Sequence, residues 1–183
     1  MCGIPWDFIL DGDGLKEYRF VVGIWSHLKM ESTVAMSREY PDRPVVGVGV
    51  VIVDGDRVLL IRRGNPPRVG QWSLPGGGQE LGETHVETAH REALEETGLV
   101  VDILGTIDVV DSITRNDDSR VRFHYTLIDV LARPRGGILQ AGGDALEARW
   151  FAFDDALSMV SWSETQRILR LGREMAEALE VSG

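Results

Sequence analysis

The chain is short of cysteine, of lysine and of long apolar runs, and each shortage excludes something. Its 183 residues include one cysteine, Cys2. That excludes a disulfide framework and a cysteine-based zinc site. The longest apolar stretch, Val45 to Val53, is too short to cross a membrane as a helix. No basic segment followed by an apolar run opens the chain. Asp7, Asp11 and Asp13 come early instead, so no secretory leader is expected. Basic side chains are outnumbered 19 to 29, for a net charge of −10. This argues against a membrane surface or an extended nucleic acid as partner. It leaves room for a small phosphorylated ligand that arrives with a divalent metal. What is present is ordinary: 43% apolar and 26% charged residues, enough to bury a core without staples. A cytoplasmic protein of one domain, or of one domain with an appendage, is expected.

The basic residues divide unevenly. Of the 19, only Lys16, Arg19 and Lys29 lie in the first 35 residues, and the remaining 16 are all arginine. Residues 1–35 are therefore read as an appendage, and 36–183 as the main domain. An extra strand over Phe20 to Trp25, docked on that domain, is an equally open reading. From Val45 the pattern sharpens. Val45 to Val53 predicts a strand buried on both faces, followed by a turn at Asp54-Gly55 and a second strand from Arg57 to Arg62. Gly64 to Gly70 is predicted loop, Trp72 to Leu74 is short and extended, and Pro75 to Gly78 is expected to break any regular element. Thr84 to Glu87 forms a capping box and Gly98 a left-handed stop, which predicts a helix over 85–97. Further strands are expected over 99–104, 106–110, 121–131 and 146–153, with a loop over 133–143. A second capping box at Ser163 to Gln166 opens a helix whose core stripe is Ile168, Leu169, Leu171, Met175 and Leu179. Mixed strands and helices with adjacent hairpins indicate an α+β fold, a mixed sheet between helices.

On the 85–97 helix, Glu92, Glu95 and Glu96 fall within an arc of about 100° near the C-terminus. Ala89, Ala93 and Val86 occupy the neighbouring arc and are free to pack on the sheet. Three carboxylates so placed repel one another, and the helix dipole disfavours them there. One reading is a solvated acidic face. The other is a site for a hard divalent cation, which prefers oxygen ligands.

Gly77, Glu83 and the run Arg91-Glu92-Ala93-Leu94-Glu95-Glu96-Thr97-Gly98-Leu99 stand at the spacing G-x5-E-x7-R-E-U-x-E-E-x-G-U, where U is aliphatic. Over residues 77–99 the chain thus resembles the Nudix hydrolases, and less specifically from about Val45 to Leu179. Ala93 is small for its position. The resemblance implies an α/β/α sandwich, a requirement for Mg²⁺ or Mn²⁺, and hydrolysis of a nucleoside diphosphate linked to another moiety. It implies that Glu92, Glu95 and Glu96, with the carbonyl of Gly76, hold metal, and that Arg91 and Glu83 form an orienting ion pair behind them. Water would attack a phosphorus of the diphosphate, with Glu92 or Glu95 as base and Asp144 or Glu147 as outside candidates.

For substrate, the candidates are Arg63, chosen over Arg62 because neighbouring strand residues face opposite ways, together with Gly77, Tyr125 and Glu147. Trp72 reads first as a core or loop anchor, Phe123 and Tyr125 as core with a lesser claim on a nucleotide pocket, and His85 as an exposed helix residue. Phe123-His124-Tyr125 running into Asp129, with Glu147-Ala148-Arg149-Trp150-Phe151, resembles small bacterial members described as ADP-ribose pyrophosphatases. ADP-ribose or another nucleotide sugar is therefore the first expectation, and an oxidised deoxyguanosine triphosphate the second. A sensor of the same fold would be expected to lack one of the glutamates; all are present. A homodimer is compatible with this reading, through the Ile168–Leu179 helix or residues 1–35.

Overall fold

The computed structural model describes residues 39–65 and 68–181. The division at 35/36 and the strand expected over Phe20 to Trp25 lie outside them. β1 (Val45–Asp54) turns through Gly55-Asp56 into β2 (Arg57–Arg63). Gly55 takes φ 61° there, and Arg57 closes on Asp54 at 2.6 Å. β3 (Trp72–Ser73) and β4 (Gly76–Gly78) precede α1 (His85–Thr97). The long pair β5 (Leu99–Arg115) and β6 (Val121–Gly137) follows, then β7 (Ala145–Ala152), α2 (Phe153–Met159) and α3 (Ser163–Val181).

β1 is the organising strand. It runs parallel to β6, from Val45 opposite Tyr125 to Ile52 opposite Ala132, and antiparallel to β4. β5 extends the sheet beyond β6, and β2 carries β3 and β7. As expected, β1 is buried on both faces. Val50 and Ile52 pack with Ala89 and Ala93 of α1, while Val51 and Val53 pack with Phe153 and Ala156 of α2 and Ile168 and Leu169 of α3. Helices on two faces of a mixed sheet make the sandwich predicted above. No helix among the described residues is long and apolar enough to cross a membrane.

Several expectations are corrected. The glycine run does not break the sheet, since Gly76 to Gly78 pairs with β1 from Gly49 to Gly47. Glycine is a poor strand former, but here it is what the approach requires. A Cβ on Gly76, whose φ is +147°, would lie 2.1 Å from the Val48 carbonyl oxygen. The strands expected over 99–104 and 106–110 are one, with register shifts around Gly105, and β6 continues to Gly137, into the expected loop. Phe153 opens α2, which the sequence pattern did not predict. α3 starts at Ser163 itself. The Trp162 carbonyl takes the first helical bond, from Gln166 N–H at 3.1 Å, and the Gln166 side chain donates to Leu157 and Val160 carbonyls at the end of α2. In the α3 stripe Leu179 is exposed, and Gly172 joins Ile168 and Leu169 in the core.

Candidate functional site

α1 begins as predicted. Thr84 N–H donates to Glu87 Oε2 at 2.8 Å, and Glu87 N–H donates to Thr84 Oγ1 at 3.2 Å. It ends at Gly98, φ 71°, whose N–H reaches the Leu94 carbonyl at 2.9 Å. Fully buried Ala89 and Ala93 seat the helix on β1. This seating divides the three carboxylates. Glu92 and Glu96 turn inward, at 9% and 4% exposure, while Glu95 stays at the surface.

The inward pair meets the glycine strand. Gly76 N–H donates to Glu96 Oε2 at 2.7 Å. A Cβ on Gly77 would lie 2.2 Å from Glu92 Oε1, so a side chain there would displace the carboxylate. Burial pushes the Glu96 carboxyl up to about 7, opposed by the Gly76 N–H and Arg63 and reinforced by Glu92 and Asp144. Burial likewise raises Glu92, against the pull of Arg91, with Glu95 and Asp144 adding repulsion.

Arg91 holds the loop before the helix to the helix itself. Its Nε and Nη2 donate to the two oxygens of Glu83 at 2.7 and 2.9 Å, Nη2 also to the Gly78 carbonyl at 3.0 Å, and Nη1 to Glu92 Oε1 at 2.6 Å. The fork of Arg fits a carboxylate in this way and Lys would not. The Arg91 bonds, with the Glu80 N–H and the Thr88 hydroxyl, hold the Glu83 carboxyl down at about 2.

A cleft of about 1300 Å³ opens over this arrangement. Gly76, Gly77, Arg91, Glu92, Glu95, Glu96, Arg63, Tyr125 and Asp144 all line it. Glu83 stands behind Arg91. Of the adjacent arginines, Arg63 faces the cleft and its buried Nε has no hydrogen-bond partner. Arg62 turns away and pairs with Glu147 at 2.6 Å. Glu147, expected at the substrate, therefore lies outside the cleft lining; it also accepts from Arg149 at 3.1 Å. Trp72 packs edge-on to Phe151 at 4.9 Å and also lines the cleft. Phe123 and Tyr125 stack at 6.5 Å and face the cleft rather than the core. His85 is half-buried and does not line it. Sequence reasoning did not assign Trp162, Glu164 and Thr165, which reach the cleft around the start of α3, to the site, and it named Asp129, in the cleft floor, only within the motif that resembles ADP-ribose pyrophosphatases. The available sign of Asp129 was one acid among the inward-facing alternates of an apolar strand.

The donors suit a hard cation: carboxylate oxygens, two of them destabilised by burial and by one another, beside a glycine main chain. Among the described residues no three acidic, imidazole or thiol groups converge on one point. Arg91 takes one oxygen of Glu92, and the Gly76 N–H takes one of Glu96.

Comparison with known proteins adds to this geometry. The family model described as the NUDIX domain matches residues 43–171. An ADP-ribose pyrophosphatase of Methanocaldococcus jannaschii is 40% identical over 108 residues, covering 59% of this chain and 62% of that protein. The 8-oxo-dGDP phosphatase NUDT18 of Homo sapiens is 37% identical over 110 residues, covering 58% of this chain and 31% of that protein. The chain thus spans less than two thirds of either relative. A solved MutT NUDIX hydrolase from Burkholderia pseudomallei superposes with a TM-score of 0.60 at 28% identity, covering 71% of this chain and 98% of that one.

Proposed function

Because the chain belongs to the NUDIX domain family, we propose that it is a metal-dependent pyrophosphohydrolase. It cleaves the diphosphate linkage of a nucleoside diphosphate derivative, with ADP-ribose or another nucleotide sugar as first substrate. The observation that carries this reading is the junction of α1 with the glycine strand. Arg91 and Glu83 lock the loop, and Glu92 and Glu96 are held in the cleft wall against Gly77 and Gly76. Glu92, Glu95, Glu96 and the Gly76 carbonyl would hold Mg²⁺ or Mn²⁺. Such an ion supplies neutralisation of phosphate charge and acidification of water. The chain's own residues do the rest. Arg63, in the cleft lining with its charge acting on Glu96, would meet a phosphate oxygen through its guanidinium. Glu92 or Glu95 would accept the proton of the attacking water. Asp144, whose charge acts on Glu92 and Glu96, is the outside candidate for that role.

The likeness to the M. jannaschii protein favours ADP-ribose. The likeness to the human 8-oxo-dGDP phosphatase carries a second reading, an oxidised guanine nucleotide. A cytoplasmic location belongs to the same reading, and a composition with a single cysteine supports it. A hydrolysis panel with Mg²⁺ and with Mn²⁺, with products identified by mass, tests the proposal. It contains ADP-ribose, other nucleotide sugars, normal deoxynucleotides and oxidised dGDP and dGTP. AMP with ribose 5-phosphate is the expected product, and Glu92→Gln is expected to lower turnover at least a hundredfold with the fold retained. Near-normal turnover in that variant would remove Glu92 from the site.

A further inference from the structure

Asp129 has no part in the chemistry above, yet it is built into the cleft. It stands on β6 in the series Tyr125, Leu127, Asp129, the first two of which also line the cleft. It is 6% exposed, and that remainder opens into the cleft. No hydrogen bond or ion pair engages its carboxyl group among the described residues. Arg167 and Asp108 act on it only through space, and Arg167 is itself paired with Asp108 at 2.7 Å and Glu164 at 2.8 Å. Space is made for it, because its register partner is Gly49, where a Cβ would lie 2.2 Å from Asp129 Oδ1. A buried acid without a partner is costly and rare in folded proteins.

Its location tells what it faces. Gly49 pairs with Asp129 on one side and with Gly76 on the other. Asp129 therefore lies two strand spacings, roughly 10 Å, across the sheet from Gly76, where the Glu96 contact marks the phosphate end. A group joined to the diphosphate through a ribose reaches that far. The buried side chains that share this part of the cleft are apolar: Leu74, Val110, Val160 and Ile168. An apolar floor with one buried acceptor suits a flat heterocycle that presents an N–H edge.

We propose that Asp129 determines base specificity in this cleft, its carboxyl group accepting a hydrogen bond from an exocyclic amino group of the substrate's nucleobase. The inference rests on reading the cleft as a nucleotide site, and its test does not depend on turnover. Nucleoside 5′-monophosphates are titrated calorimetrically in two pairs: AMP against the purine riboside monophosphate that lacks the 6-amino group, and GMP against IMP, which lacks the 2-amino group. The protein should bind the amino-bearing member of at least one pair about tenfold tighter or more. Asp129→Leu should bind both members of that pair alike, and the member without the amino group no more weakly than before. Asp129→Asn keeps the shape and one acceptor, and should narrow the preference without abolishing it. Should the leucine variant not fold, the unmodified protein and the asparagine variant still decide.

Equal binding within both pairs overturns the proposal, as does equal weakening of both members in the variants or no binding of any of the four. A preference in a protein that hydrolyses no nucleotide would sink the pyrophosphatase reading and keep the base readout. Hydrolysis of ADP-ribose without a preference would do the reverse.

Discussion

Asp129→Asn is expected to make the protein more stable at neutral pH. Burial in the cleft floor pushes the Asp129 carboxyl from 3.8 up to about 6, with Arg167 opposing and Asp108 reinforcing. The folded protein thus holds this proton more tightly than the unfolded chain. Below about pH 4 the group is protonated in both states and nothing is lost. Between about pH 4 and 6 the unfolded chain releases the proton first, and stability falls. Above that window the acid is ionised in both states, and its burial costs about 3 kcal/mol. Asparagine has nearly the same shape and no charge, so Asp129→Asn should recover about 2–3 kcal/mol at pH 7.5, a rise in Tm of roughly 5–10 °C. The assay is urea unfolding of both proteins from pH 4 to 8, followed by far-ultraviolet circular dichroism. Glu92 and Glu96 titrate in both proteins, so their contributions cancel in the difference. The gap should be near zero at pH 4, open through pH 6 and hold level above it. A less stable variant at pH 7.5, or a gap independent of pH, would refute the argument that this carboxylate is ionised at a cost. The expected gain has a functional meaning, since a protein that keeps a destabilising acid in its cleft is using it.

Two further outcomes follow from the site. Arg91→Lys keeps the charge but cannot span both oxygens of Glu83 while reaching Glu92 and the Gly78 carbonyl. It should lower kcat by about 10- to 100-fold with the circular dichroism spectrum unchanged, and unchanged kcat would make the ion pair dispensable. Gly76→Ala and Gly82→Ala both place alanine at positive φ, but only the first meets backbone, the Val48 carbonyl. Gly82→Ala should cost about 1 kcal/mol and Gly76→Ala at least about 3 kcal/mol in urea unfolding; equal costs would mean that the β4 strand yields.

Much of this protein is written in short-range pattern. The limits of α1 follow from Thr84, Glu87 and Gly98, each acting within four residues. The two-sided burial of β1 is visible in its run of Val, Ile and Gly with no polar residue before Asp54, and the spacing of Glu83 and Arg91 brings the two together across the first two turns of α1. What the chain could not show locally is which carboxylates turn inward. Spacing placed Glu92, Glu95 and Glu96 on one arc; packing of Ala89 and Ala93 on β1 buried two and left the third in solvent. Pattern rules also misjudged the glycine run, because its strand exists only where the backbone of β1 comes too near for a Cβ. Glu147 shows the same limit. Its strand was foreseen, but pairing of β7 with β2 sets it opposite Arg62, away from the cleft. Asp129 depends most on distant partners. It reaches the cleft through a parallel register 80 residues long in sequence, Gly49 against Asp129, with α2 and α3 closing the core beneath. Local chemistry is sufficient to specify a helix, a turn or a motif, because hydrogen bonds and side-chain periods act over a few residues. Burial, and with it the charge state and reach of each acid, depends on which strands and helices meet, and only the folded chain determines that.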